Sequence, residues 1–329
     1  MNKFRLIYLI LVTNFNSFAQ NSMVGDGFGG RHWYSPTNYG VGSYSAYSIC
    51  YDDSSQLYGW GDNDNNQLGF GFGSTGVSVP TPIPNMSNVL YFSAGYNMGA
   101  IKNDGSGWVW GNNTNPIQII SNSYFVDASS YNISFVKNDG TVWSVGDNLL
   151  GQFGDGTNNT PTNFLTTPGQ MAGISNAVRV SNNRFSTIVL LDDSTLVSTG
   201  DNSNGYLGLG ASISTTNIPL PIIGIPKIVD LKSNAVQTIA LAADGSVYYW
   251  GYNFITNVNT STPILLSNLS NIVVISGCDD GFHFLALDSS KNCYGWGNTP
   301  ATFGSTAVTI NQPTLVATEV VDIMAGETF

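Results

Sequence analysis

Residues 142–154 read Val142-Trp143-Ser144-Val145-Gly146-Asp147-Asn148-Leu149-Leu150-Gly151-Gln152-Phe153-Gly154. An aromatic and aliphatic stretch runs into a glycine, and a polar turn then closes on further glycines. The glycine that ends the apolar stretch recurs in Trp60-Gly61-Asp62, Trp110-Gly111-Asn112, Thr199-Gly200-Asp201, Trp250-Gly251-Tyr252 and Trp296-Gly297-Asn298. Successive glycines lie 50, 35, 54, 51 and 46 residues apart. A period in that range, kept over most of a chain, is the signature of a propeller, a solenoid or an array.

Outward from that stretch, the residues predict one structural unit. Phe125-Val126-Asp127-Ala128-Ser129 reads as a short strand, Ile133-Ser134-Phe135-Val136 as a second, and Asn138-Asp139-Gly140-Thr141 as a hairpin into the third. Asp-Gly suits a two-residue turn whose two central positions have positive φ. Asp104-Gly105 and Asp244-Gly245 hold the same place, and Asp52-Asp53-Ser54, Asp192-Asp193-Ser194 and Asp288-Ser289-Ser290 are polar substitutes. In the third strand, residues three before the glycine (Tyr58, Trp108, Trp143, Val197, Tyr248, Tyr294) and one before it (Trp60, Trp110, Val145, Thr199, Trp250, Trp296) share a face. The residues between them are mostly small, which fits sheets stacked face to face around an axis. Asn recurs two places after the glycine (Asn63, Asn113, Asn148, Asn202, Asn253), where a short amide can bond the backbone of a tight turn. Proline-rich returns such as Pro80-Thr81-Pro82 and Pro219-Leu220-Pro221 suit edge strands, which need fewer donors.

These residues resemble the regulator of chromosome condensation repeat. That family opens a unit on Ala-Gly or Cys-Gly, continues through an apolar strand and a hairpin to an aromatic-Gly-x-Asn turn, and closes on Gly-Gln-Leu-Gly. Ser93-Ala94-Gly95, His283-Phe284-Leu285-Ala286-Leu287 and Gln67-Leu68-Gly69 carry the likeness over about residues 40–326. The resemblance implies an all-β fold, a β-propeller of four-stranded blades, usually seven in the family. Six units are complete, and Val320-Val321-Asp322-Ile323-Met324-Ala325-Gly326 begins a seventh. The second unit and the last two lack the Gly-Gln-Leu-Gly close. The expected organisation is a signal peptide over 1–19, an N-terminal segment over 20–43 with a candidate part in closing a blade, and propeller repeats over 44–329, truncated at the C-terminus.

The signal peptide is read from Lys3 and Arg5, the apolar run from Leu6 to Val12, and Ser17-Phe18-Ala19 before Gln20. Seven apolar residues are too few to span a bilayer. The expectation is a secreted or cell-surface protein with no transmembrane segment in the mature chain. Without Lys3 and Arg5, 8 Lys+Arg face 21 Asp+Glu, a net charge of −13. No Lys/Arg cluster offers a basic stripe, so nucleic acid is excluded as a partner. With 42% hydrophobic residues the chain is nonetheless rich enough for a packed core. Only Glu319 and Glu327 are glutamates, and 37 glycines accompany the aspartates, as a fold full of tight turns requires. Cys50 and Cys293 lie in apolar strands and read as small buried hydrophobes; with Cys278 the count is odd.

Motifs that resemble chemistry carry little weight here. Gly25-Asp26-Gly27-Phe28-Gly29-Gly30 satisfies Gly-x-Gly-x-x-Gly, but Arg31-His32-Trp33-Tyr34-Ser35-Pro36 is no helix start. Asp62-x-Asp64-x-Asn66 matches half a calcium loop, yet Gln67 stands where glycine belongs and Gly73 where a bidentate Glu belongs. His283 sits at a position that the resemblance makes structural, and His32 reads as packing or surface. No catalytic, cofactor or metal residue is assigned, and no cofactor is expected.

Trp33 stands outside the repeat and is a candidate exposed contact. The inserts at 70–79 and 155–173 are the candidate partner loops, because variable loops on a rigid scaffold carry binding. The expected function is a secreted, non-enzymatic scaffold for an unknown extracellular protein or glycan, as adhesin or inhibitor, within a longer cell-surface protein or alone. The family includes a nuclear exchange factor, a plant ultraviolet receptor and a secreted bacterial β-lactamase inhibitor, and the last shares secretion and acidity with this chain. The alternative is a secreted hydrolase acting on polysaccharide through an aspartate pair, one of them with a raised pKa.

Overall fold

The structure, a computed structural model, describes residues 24–25, 31–32, 37–39, 46–52, 54–71, 74, 76–158, 166–253, 258–277, 283–297 and 310–323. Residues 1–19, Trp33, Cys278 and most of the Gly-x-Gly-x-x-Gly stretch fall outside these. Among the described residues every regular element is a strand. β1 (Val24–Gly25) and β2 (Arg31–His32) pair as a separate ribbon. The rest form six four-stranded antiparallel sheets. The first holds β3 (Thr37–Tyr39), β4 (Ala46–Tyr51), β5 (Leu57–Gly61) and β6 (Val77–Pro82). The second holds β7 (Val89–Ala94), β8 (Asn97–Lys102), β9 (Gly107–Gly111) and β10 (Thr114–Ile120).

The third sheet runs β11 (Ser123–Ala128), β12 (Asn132–Lys137), β13 (Val142–Gly146) and a two-residue β14 (Gly169–Gln170). The fourth runs β15 (Ala177–Asn182), β16 (Ser186–Leu191), β17 (Leu196–Asp201) and β18 (Thr215–Ile222). β19 (Ile228–Ser233), β20 (Gln237–Ala242), β21 (Val247–Asn253) and β22 (Val258–Leu265) make the fifth. β23 (Ile272–Gly277), β24 (His283–Asp288), β25 (Cys293–Gly297) and β26 (Ile310–Ala317) make the sixth. Each sheet is one repeat. The first strands β7, β11, β15, β19 and β23 lie against one another in turn, so they line the axis of a β-propeller. The proline-rich returns become β6, β10, β18, β22 and β26, the outer edges, where a missing N–H costs no ladder bond.

The third-strand aromatics hold neighbouring sheets together. Trp110 and Trp250 are fully buried, and each donates its indole N–H to the preceding sheet: to the Gln67 carbonyl at 2.9 Å and to the Tyr206 carbonyl at 3.0 Å. Thr199, at the same position in the fourth sheet, donates its hydroxyl to the Gly151 carbonyl at 2.8 Å. The repeat's Asn staples the loop behind it. Asn202 Oδ1 accepts the Leu207 N–H at 2.9 Å, and its Nδ2 donates to the carbonyls of Gly210 at 2.9 Å and Ile213 at 2.7 Å. Asn63 and Asn148 accept from Leu68 and Phe153 in the same way.

The hairpins differ from the sequence expectation. In Asn103-Asp104-Gly105 only Gly105 has positive φ, +77°, and its N–H returns to the Lys102 carbonyl at 2.8 Å. This is a three-residue loop, a type I turn followed by one left-handed residue, rather than a two-residue turn with two. In the first and sixth sheets the left-handed residue is Ser55 or Lys291, one place later than the polar triplets suggest. Aspartate takes part because it caps the turn: Asp139 Oδ1 accepts from the Thr141 N–H at 3.0 Å and its hydroxyl at 2.6 Å.

That left-handed residue also links the sheets. The N–H groups of Val89, Ser123, Ala177, Ile228 and Ile272, which open the first strands, donate to the carbonyls of Ser55, Gly105, Gly140, Ser194 and Gly245 in the preceding sheet at 2.9 to 3.0 Å. Val320 repeats the bond to Lys291 at 3.0 Å, and Ile323 is buried against Leu287 and Cys293. The residues read as opening a seventh unit thus enter as the other first strands do.

Candidate functional site

Strand order fixes which loops share an end of the ring. Turns between first and second strands and loops between third and fourth strands emerge together, at the loop end. Hairpins between second and third strands, and the connections to the next sheet, emerge at the hairpin end. Both inserts, 70–79 and 155–173, join third to fourth strands and so belong to the loop end, although residues 72, 73, 75 and 159–165 fall outside those described.

The loop end carries a row of aromatic side chains, in turns between first and second strands to which the sequence reading assigned no role. Tyr96, Tyr131 and Phe185 each stand just before a second strand, with Val236 in their place in the fifth sheet. Tyr131 and Phe185 stack across two sheets with ring centroids 6.4 Å apart, and Phe185 stacks on Tyr206 at 5.4 Å. Tyr131 is 42% exposed.

The repeat glycine builds this row. Gly146 has φ +114°, and a Cβ there would lie 2.2 Å from the Tyr131 carbonyl oxygen. At Gly200, φ is +117° and the distance to the Phe185 oxygen would be 2.4 Å. Only glycine admits both the dihedral and the approach. The next residue then donates its N–H to that same carbonyl: Asp147 to Tyr131 at 2.8 Å and Asp201 to Phe185 at 2.9 Å. Each ring is thereby set beside a carboxylate-bearing residue.

Both ends are acidic among the described residues. At the loop end Asp62, Asp64, Asp147, Asp155 and Asp201 face a single base, Arg184. At the hairpin end Lys102, Lys137, Lys227 and Lys291 lie among Asp52, Asp104, Asp139, Asp192, Asp193, Asp244, Asp288 and Glu319. There, Asp104, Asp139 and Asp193 are held below the ordinary carboxylate range by hydroxyls of Ser106, Thr141 and Thr195, with help from Lys102, Lys137 and Lys227 in that order.

A second group missed in the sequence lies on the axis. Ser93, Asp127 and Ser181 occupy one position of successive first strands. Each accepts the backbone N–H of the next strand, from Ala128 at 3.0 Å, Asn182 at 2.7 Å and Ser233 at 2.9 Å. Lys232 follows in that position and breaks the series. Arg179 lies 3.7 Å from Asp230, and its guanidinium carbon is 5.3 Å from the centre of the Phe125 ring. Burial raises the Asp127 carboxyl above its usual range, against the pull of the Lys232 ammonium and the Asn182 N–H. Burial opposes the Lys232 charge as well, but Tyr91, Asp230 and Asp127 outweigh it and hold its proton more firmly. These side chains put opposite charges side by side on the axial strands.

The other sequence candidates resolve as structure. Asp62 accepts from the Asp64 N–H and from Gln67 Nε2, while Asn66 donates to the Thr114 carbonyl and accepts from Gly71, so the half calcium loop spends its oxygens on its own turn. Among the described residues no three His, Cys, Asp or Glu side chains are grouped as metal ligands. His283 is buried, and burial lowers it to about 4, so its ring is neutral at physiological pH. Cys50 and Cys293 are free thiols, both pushed up to about 11 by burial.

The family model for the Regulator of chromosome condensation (RCC1) repeat matches residues 54–101, the end of the first sheet and most of the inner second. The mouse E3 ubiquitin-protein ligase HERC2 is 30% identical over 132 residues, 37% of this chain and 3% of that protein, so the chain spans only a small part of this relative. Human WBSCR16 superposes with a TM-score of 0.72 at 20% identity, covering 86% of this chain and 83% of the other. Prp20p from Saccharomyces cerevisiae follows at 0.68 and 17% identity, covering 84% and 76%. Six sheets built on one repeat, the matched unit and these shared folds identify the chain as an RCC1-like repeat β-propeller.

Proposed function

We propose that this protein is a secreted, non-enzymatic scaffold that binds a protein partner through its loop end. The RCC1-like propeller fold suggests a protein-interaction scaffold, and Prp20p is described by its binding to Gsp1p and histones. The observation that carries the reading is topological: both inserts and the exposed part of the aromatic row emerge at one end of the ring. A rigid ring that gathers its irregular segments on one side presents them as a single surface.

A photo-crosslinking residue at Leu149, 62% exposed at the loop end, tests this against one at Asp193 in a hairpin. A saturable adduct with one extracellular protein from Leu149, absent from Asp193 and removed by excess unlabelled protein, supports the reading. The reverse pattern overturns it. Secretion is tested by N-terminal sequencing of the protein from culture medium, with Gln20 as the expected first residue.

One observation favours the hydrolase. Asp127 is a carboxyl raised by burial, as an acid catalyst needs. However, it accepts the Asn182 N–H, and Asp230 beside it is paired with Arg179. Release of reducing sugars from any polysaccharide, lost in Asp127→Asn, would replace the scaffold reading with this one.

A further inference from the structure

We propose that the stretch ahead of the first sheet, residues 20–32, docks on an apolar rim around the hairpin-end mouth of the axis. One irregularity, repeated in every inner strand from the second sheet to the sixth, builds that rim. Pairing with the second strand skips the second residue each time: Leu90, Tyr124, Val178, Val229 and Val273. A bulge of this kind re-aims the skipped side chain. Val321 follows Val320, which enters as the other first strands do. None of the six is charged. Leu90, Val229, Val273 and Val321 are 39%, 48%, 54% and 63% exposed, and Tyr124 and Val178 are half-buried.

Each of them comes next after the residue whose N–H bonds the preceding hairpin, so all lie at the hairpin end. The inner strands that carry them lie side by side around the axis. Single exposed apolar side chains need no explanation, but a series of them around one opening marks a surface that something covers.

The chain itself supplies the cover. β4 pairs with β5 as β8 pairs with β9, Tyr47 facing Gly61 where Asn97 faces Gly111. In that register Thr37, opposite Ser48, holds the place of Ala94, opposite Met98. Inner strands start from the hairpin end, which Val89 marks in the second sheet, five residues before Ala94. His32 likewise stands five residues before Thr37. The chain ahead of β3 therefore comes from the hairpin end, and β2 is tethered within about 17 Å of Thr37.

From there the stretch Gln20 to Gly30 can extend about 36 Å. Its composition fits the rim. Met23, Val24 and Phe28 are apolar, Asp26 is its one charge, and its glycines add no side chain that would hold the backbone away. The Gly-x-Gly-x-x-Gly run thus has a part to play without a cofactor. Docked at the hairpin end, the segment leaves the loop end free.

A photo-crosslinking phenylalanine derivative in place of Phe28, in the whole protein, tests this. Mass spectrometry of the digest is expected to find adducts within one molecule, on the peptides that hold Val229, Val273 or Val321. Val229→Asp with Val273→Asp, both at exposed positions, should abolish them, and Leu149→Asp at the loop end should leave them unchanged. A protein lacking residues 20–30 should bind anilinonaphthalene sulfonate at the uncovered rim, and a synthetic peptide of residues 20–30 should displace the dye saturably. The peptide carrying Met23→Ser, Val24→Ser and Phe28→Ser should not. Adducts on loop-end peptides, adducts only between molecules, or no adducts would overturn the proposal. Equal displacement by the serine peptide would overturn it too.

Discussion

The loop staple at Asn202 permits a sharp test, because one buried amide makes three bonds of two kinds. Its Oδ1 accepts one N–H, and its Nδ2 donates to two carbonyls at 2.9 and 2.7 Å. Asn202→Ala leaves one donor and two acceptors unmet. At about 1 kcal/mol for each bond, the loss is about 3 kcal/mol. Asn202→Asp keeps the size and the acceptor but turns a carboxylate oxygen toward two carbonyls. A buried charge without a partner costs about 3–5 kcal/mol, so at neutral pH this isosteric change should be at least as damaging as alanine.

The sign with pH is also fixed. The new carboxyl would have a raised folded-state pKa, so the folded protein takes up a proton that the unfolded chain does not. Stability is then recovered at low pH and lost as pH rises through the folded value. Once protonated, the group can donate to Gly210 or Ile213. Urea unfolding of the three proteins at pH 4.5 and 7.5, with midpoints compared at equal slope, reads the effect. An Asn202→Asp midpoint equal to wild type at pH 7.5, or a difference from wild type that does not shrink at pH 4.5, would refute the assignment of Nδ2 as the essential donor.

Gly200→Ala should cost about 3 kcal/mol or more, since a Cβ 2.4 Å from the Phe185 oxygen must break the adjoining Asp201 bond as well as adopt an unfavourable φ; thermal unfolding measures it. Asp127→Asn should flatten the pH dependence of stability. The raised carboxyl gives stability below its unfolded pKa of 3.8 that is lost as pH rises through its higher folded value, so the difference between wild type and variant should change in that window and not above it. Cys50 and Cys293 should resist iodoacetamide at pH 8 in the native state and react in urea, because thiols pushed up to about 11 are almost wholly protonated there. Peptide mapping by mass spectrometry distinguishes the two states.

Much of the ring was legible because its chemistry repeats. The Trp-Gly turn and the proline-bearing returns each have a local cause and occupy the element expected of them; the Asn after the glycine does so at Asn63, Asn148 and Asn202, whereas Asn253 lies within a strand. The hairpins were placed correctly but given the wrong turn, since Asp-Gly serves both a two-residue loop and a type I turn with one left-handed residue. Choosing between them depends on the strand register, which no short motif reports. Tyr131 and Phe185 were hidden in a turn, because their meaning comes from neighbours 54 residues apart in the chain. The axial residues Asp127 and Lys232 were hidden for a related reason. In every inner strand from the second sheet to the sixth the register slips after the first residue, between Ser123 and Phe125 or between Ile228 and Asp230, for example. Simple alternation therefore does not show which side chains turn toward the axis, and their signal was the series Ser93, Asp127, Ser181 and Lys232 once the repeats are aligned.

The bond from each inner strand to the hairpin of the sheet before it has a consequence for how the ring comes apart. Because every first strand is tied backward, the smallest cooperative piece is not a sheet but the outer part of one sheet together with the opening of the next. Domain boundaries drawn between sheets, at residues 121–122 or 224–227, would therefore cut through the joint rather than beside it. Fragments cut within a sheet, after its first strand, would keep each hairpin with the strand it holds, and native-state hydrogen exchange should protect those two segments as one.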